Sequence, residues 1–172
     1  MAWEMTAEEL LARYAVGERN FAGVDLNPRY ENEWIPLARA DLRGINLRGA
    51  NLFRANLGHS DLSGADLSGA YLSSAGLGFA ILQGASLQGA ILRGCIIWNA
   101  DLREADLTDT NLIGAVLHKA NLTNAVVERA ILAGTDLTGA TPPYAYYTGN
   151  NLIWKTTLPS GDVEVGPFYT DG

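Results

Sequence analysis

The sequence predicts an all-β solenoid, and three observations carry that prediction. Leucine recurs at every fifth residue from Leu37 to Leu137, filling 19 of 21 consecutive positions, with Ile97 and Val127 at the other two. Two residues before each stands a second series that is Ala at 15 of 21 positions; Ser60, Cys95, Thr110 and Thr135 are small exceptions, Ile35 and Ile45 large ones. After each Leu the usual residues are polar and then Gly, as in Leu42-Arg43-Gly44 and Leu67-Ser68-Gly69. A period of five fits neither an amphipathic helix nor a flat strand, and it differs from the heptad of a coiled coil. In extended backbone, residues two apart point the same way, so the small residue and the Leu face inward together. The polar-Gly pair suits a corner.

Ahead of the repeat, Thr6 and Glu9 have the spacing of a capping box, followed by Leu10, Leu11, Tyr14 and Ala15 at helical spacing. Gly17 can stop that helix. Phe21 to Leu26 reads as one more repeat in a different phase, and Leu26 lies 11 residues before Leu37. Asn27 to Trp34 therefore reads as a loop inserted into the first coil. Residues 1–34 are expected to form an N-terminal capping segment of helix, out-of-phase repeat and loop, with the helix plugging the open first coil.

Residues 35–141 are the repeat proper. From Ala40-Asp41-Leu42-Arg43-Gly44 through Thr135-Asp136-Leu137-Thr138-Gly139, over roughly 105 of 172 residues, the chain resembles the pentapeptide-repeat family, whose pattern is A(N/D)LXX. The resemblance is to short members of the kind abundant in cyanobacteria. It implies a right-handed quadrilateral β-helix with four repeats per coil, and the doubled Leu-Arg-Gly, Leu-Ser-Gly and Leu-Gln-Gly repeats agree with such a superperiod. About five coils follow, a rod of roughly 25 Å at the spacing of adjacent strands. Stacked Leu side chains would fill it, each contributing ~1.5–3 kcal/mol. The second inward position must stay small, because enlarging it overpacks a narrow tube. The resemblance also implies that Asp and Asn brace the corners through backbone hydrogen bonds.

At Pro142-Pro143 the pattern breaks. Residues 142–172 are aromatic, with Tyr144, Tyr146, Tyr147, Trp154, Phe168 and Tyr169. Trp154 to Leu158, a turn over Pro159-Ser160-Gly161-Asp162, and Val163 to Val165 read as a hairpin. This tail is expected to be a C-terminal cap; a dimer or partner interface is the alternative.

The formal charge of −7 argues against binding nucleic acid by neutralising phosphates, and against docking on anionic membranes. The charge is uneven along the chain: residues 1–37 carry seven acids and three bases, 38–141 nine and eight, and 142–172 three and one. The first residues have neither a basic stretch nor an apolar one, and one cysteine cannot form an internal disulfide. The expected location is the cytoplasm.

No catalytic, phosphate-binding or metal motif is present, so an enzyme, a cofactor and a metal are not expected. His59 and His118, three coils or about 14 Å apart, are too distant to share a metal and read as solvated residues. Cys95 occupies an inward Ala position and reads as a small buried hydrophobe. Asp41 and Asp61 become neighbours in a column, but a convex rod lacks the cleft that paired catalytic carboxylates need.

The informative departures are apolar residues where Asp or Asn is usual, together with aromatic corners. Stepping by one superperiod places Tyr71 and Ile91 in one column. Ile96 and Val116 fall in the next, with Phe79 and Trp98 on adjacent coils. Tyr71, Phe79, Ile91, Ile96, Trp98 and Val116 are therefore the candidate interaction surface. The alternative is that they are individually tolerated β-formers or are covered by the tail. The functional expectation is a non-catalytic scaffold that binds a protein partner. Two other readings stand beside it: self-association, with a homodimer through the tail, and the topoisomerase-inhibiting DNA mimicry known for some members of the resembling family.

Overall fold

Each five-residue repeat except the one at Val127 closes on a β-turn. In the computed structural model, which describes residues 3–26, 33–143 and 149–170, the carbonyl of Leu47 accepts from the Ala50 N–H at 3.0 Å and that of Leu87 from Ala90 at 2.9 Å. Such bonds span a four-residue turn. The second residue after each Leu has positive φ, the third-position signature of a type II turn. Gly64 and Gly69 stand there at 64°, where the absence of a Cβ removes the steric cost. Arg54, His59, Ser74, Phe79, Glu104 and Lys119 occupy the same position at φ between 57° and 61°. The corner is therefore imposed by the repeat even where the residue resists it. Asp and Asn help to impose it: Asp61, Asp66 and Asn121 each accept, at 3.0 Å, the N–H two residues on.

With corners this frequent, only a residue or two per repeat can pair, and the pairing is parallel between residues 20 apart. Four repeats thus make one turn of a β-helix and generate four columns. They run through Asp41, Asp61, Ile81 and Asp101; Asn46, Asp66, Ser86 and Asp106; Asn51, Tyr71, Ile91 and Asn111; and Asn56, Gly76, Ile96 and Val116.

The interior is the Leu series, none of its leucines more than 4% exposed and Val127 at 7%, interleaved with an Ala series that is buried except at Ala40 and Ala125, which are half-buried. Polar residues at the Ala position survive burial by finding carbonyls. Ser60 Oγ donates to Leu57 at 2.6 Å, Thr110 Oγ1 to Leu107 at 2.7 Å and Thr135 Oγ1 to Leu112 at 2.8 Å. Cys95 Sγ donates to Leu72 in the same manner, and burial pushes its thiol pKa up to about 12.

At the N-terminal end, β1 (Trp3–Glu4) leads into α1 (Ala7–Ala15). Thr6 caps the helix: its Oγ1 accepts from Glu9 N–H at 3.1 Å, and Glu9 Oε2 accepts from Thr6 N–H at 2.8 Å. Leu10 is buried, and the Tyr14 hydroxyl donates to the Arg43 carbonyl at 2.9 Å, so the helix lies against the first coils. β1 pairs in parallel with β2 (Val24–Asp25), and Asp25 in turn with Asn51. That last register is 26 residues, as is Asn20 with Asn46, whereas β3 (Ile35–Pro36) pairs with β4 (Ala55–Asn56) at the regular 20. The inserted loop falls within this longer coil; of its residues only Glu33 and Trp34 of 27–34 are among those described.

The ladder also continues past Pro143. β5 (Leu152–Ile153) and β6 (Thr156–Thr157) stack in parallel on Ile131 and Asp136, in a register of 21. Asn151 and Thr156 are buried at the small position, and Ile153 and Leu158 fill the Leu position. Asn151 braces the corner at Val127, accepting from the Ala130 N–H at 2.8 Å and donating to the Val127 carbonyl at 2.9 Å. The chain then turns at Leu158–Asp162 and runs back, pairing β7 (Val163–Glu164) with β6 and β8 (Phe168–Tyr169) with β5, both antiparallel. Tyr144, Tyr146 and Tyr147 lie outside the described residues.

Candidate interaction surface

The 20-residue register turns sequence neighbours into ring stacks. His59 and Phe79 hold the same left-handed corner position on successive coils, so their rings lie parallel, 4.8 Å apart and inclined by 9°. Trp98, one residue before the next corner, meets Phe79 edge-on with centroids 4.6 Å apart, a favoured aromatic arrangement. Gly78 makes room for the Trp98 ring, and Gly76 lies beside Trp34. A Cβ on Gly78 would fall 2.9 Å from Trp98 Cδ1, and one on Gly76 would touch the Trp34 ring at 3.5 Å. Ile96 and Val116 follow Gly76 in its column. The described residues of the tail leave this surface open: Phe79 is 42% exposed, Ile96 45% and Trp98 42%.

Tyr71 and Ile91 pair in the neighbouring column. Tyr71 stacks on Phe53 at 5.7 Å. Between them and Ile113 opens a shallow groove of about 580 Å³ whose lining includes Phe53, Tyr71, Ser73, Ile91, Arg93 and Ile113. The six residues singled out from the sequence thus fall into two groups on adjacent columns. Two residues join them that sequence reasoning had set aside. His59, read there as solvated, is exposed but stacked, and its spacing of 20 from Phe79 was the available signal. Trp34 had none, since it belongs to the loop.

Several of the carboxylates are engaged with arginines. Asp41 lies 2.6 Å from Arg43, which also reaches Asp61 at 3.8 Å. The hydrogen bonds from Arg43 hold the Asp41 pKa down to about 2. Arg103 lowers Asp101 within one corner, and Arg129 lowers Asp109 from the next coil through bonds of 2.7 and 2.8 Å. Paired in this way, these acids brace corners and coils. Among the described residues, no three His, Cys, Asp or Glu side chains converge as a metal site requires.

A parallel ladder of five-residue repeats around a Leu core defines the chain as a β-helix repeat protein presenting an aromatic surface. It belongs to the pentapeptide repeat family, whose model matches residues 37–69, 70–109 and 110–141 in 8 copies. Among solved structures, it is similar to the pentapeptide repeat protein Rfr23 of the cyanobacterium Cyanothece 51142, with 30% identity and a TM-score of 0.62 over 73% of this chain and 90% of that one. It is also similar to a pentapeptide repeat protein of the Arabidopsis thaliana thylakoid lumen, with 30% identity and a TM-score of 0.57 over 58% of this chain and 69% of that one. No curated protein matches the chain in sequence. No helix among the described residues is long and apolar enough to cross a membrane.

Proposed function

We propose that this chain is a non-catalytic scaffold that docks a protein partner on the surface formed by Phe79, Ile96, Trp98 and Val116, extended by Tyr71 and Ile91. Its body is read as a right-handed quadrilateral β-helix over residues 35–141, with residues 1–34 and 142–172 capping the ends. The observation that carries the docking reading is the exposed stack of His59, Phe79 and Trp98, held in place by the missing side chain of Gly78. An ordered aromatic cluster left open to solvent is the composition of an interface centre. A cytoplasmic location is part of the proposal and rests on the sequence; a relative from a thylakoid lumen shares the fold.

The test is capture of partners from a bacterial lysate, identified by mass spectrometry, with the intact protein and with a Trp98→Ser, Ile96→Ser variant of unchanged melting temperature. A protein retained only by the intact form supports the docking surface. Equal retention by both sinks it. Self-association through the tail is favoured by a separate observation, the exposure of Val163, Val165, Phe168 and Tyr169 at one end. Sedimentation that finds only monomer removes that reading. DNA mimicry draws no support from carboxylates already neutralised by Arg43, Arg103 and Arg129, and a gyrase supercoiling assay without inhibition disposes of it.

A further inference from the structure

Charge around the coil is segregated in a way that charge along the chain conceals. Residues 50–59, 70–79, 90–99 and 110–119 contain no Asp or Glu and carry Arg54, Arg93 and Lys119. Residues 40–49, 60–69, 80–89 and 100–109 carry seven acids and three bases. Because the register is 20, these alternating tens lie on different sides of the β-helix: the first on the columns of Tyr71 and Ile96, the second on those of Asp61 and Asp66. Over these coils the acid-free side is also the side that exposes Tyr71, Phe79, Ile96 and Trp98; acids return to its columns only at the ends, with Asp25 before Asn51 and Asp136 after Val116.

Two of the three cations on the acidic side are held by its own acids, Arg43 by Asp41 and Arg103 by Asp101; Arg48 is the exception among the described residues. On the acid-free side, among the described residues, neither Arg93 nor Lys119 has an ion pair. Arg93 lines the groove beside Phe53, Tyr71 and Ile113, so its charge stands next to apolar surface. Lys119 follows Phe79 two coils on, at the same corner position.

Resting on the docking surface proposed above, we infer that its partner is an acidic protein segment with apolar anchors. It places a carboxylate on Arg93, another near Lys119, and aromatic or aliphatic side chains against Phe79, Trp98 and Ile96. A carboxylate arriving there meets two cations that no described acid already pairs, and the apolar neighbours strengthen the pairing by excluding water. The acidic opposite side repels a wrongly oriented approach. A nucleic acid fits less well. Three cations spread over four coils neutralise few phosphates, and the molecule as a whole carries −7.

Fluorescence anisotropy with three labelled peptides tests this on the full chain. They share one length and one pattern of Leu and Phe, and carry Glu, Gln or Lys at the intervening positions. The expected result is about tenfold tighter binding of the Glu peptide than of the Gln peptide at low ionic strength, narrowing at physiological salt. An Arg93→Gln, Lys119→Gln variant should erase that difference. Trp98→Ser should weaken both peptides. Equal affinity for Glu and Gln peptides, or preference for Lys, overturns the acidic partner while leaving an apolar docking surface in place. No binding of any peptide overturns the inference too, and partner capture then decides the docking reading by itself. A single-stranded oligonucleotide that binds as tightly as the Glu peptide also overturns it, in favour of phosphate recognition.

Discussion

At the corner position, a side chain is tolerated at a cost that the repeat absorbs. Gly64 isolates that cost, since a Cβ there would meet nothing within 4 Å and only its φ of 64° opposes substitution. Gly64→Ala should therefore destabilise the protein by about 1 kcal/mol in chemical denaturation, with no change in slope. An unchanged midpoint would show that the corner stores no strain. Asp41 gives a second test at this scale. Its carboxyl, ordinarily at 3.8, is held at about 2 by Arg43, so the unfolded chain takes up the proton first as pH falls. The stabilisation is complete above pH about 4 and disappears as pH drops through about 2. Asp101 and Asp109, also lowered, act in the same direction. In Arg43→Gln the Asp41 titration, followed by NMR, should move up toward its ordinary value; an unmoved curve excludes the pairing as its cause.

Among the elements, the row of rings is positioned by what is absent beneath it. The backbone of Gly78 lacks the positive φ of the corners, so Gly78→Ala adds no backbone strain and acts only through the Trp98 ring it would displace. The expected outcome is loss of partner capture, together with a shifted Trp98 indole resonance, at a melting temperature close to the original. Retained capture with a displaced ring would separate Trp98 from binding. The elements also mark where sequence reading succeeds and where it stops. The Leu and Ala series are legible because each inward position has one size requirement repeated without a gap. The last coil obeys the same geometry with different letters: Asn151 and Thr156 replace Ala, and Ile153 replaces Leu. A register of 21 breaks the count as well. The columns of the candidate surface followed from a step of 20. The segregation of charge was equally present in the letters, but a sum along residues 38–141 averages it to near neutrality. The support that Gly78 gives Trp98 is a contact between coils, which no local pattern expresses.

For the molecule as a whole, every coil shares one interior, so a fault in one is felt by its neighbours above and below. Ala105 is fully buried at the small position, and in an interior packed at the density of protein cores a larger side chain there has to displace its neighbours. Ala105→Leu should lower stability by about 1–3 kcal/mol or prevent folding. Unchanged thermal and denaturant midpoints would show a tube wider than the ladder suggests. The two ends carry the complementary problem of unpaired backbone on the outermost rung. β7 and β8 reverse direction there, so the ladder ends on two short antiparallel strands rather than on an open parallel coil.

The 20-residue register also gives the protein a mechanical character. A load pulling its two ends apart along the axis would act on one rung at a time, because each coil is bonded only to the coil before and the coil after it. Releasing a single coil frees 20 residues, which extend to roughly 66–72 Å while giving up only ~4.8 Å of folded length. Between its longer first coil and its last, such a molecule would pay out in equal increments under tension, a spool whose stops are set by the spacing of its leucines.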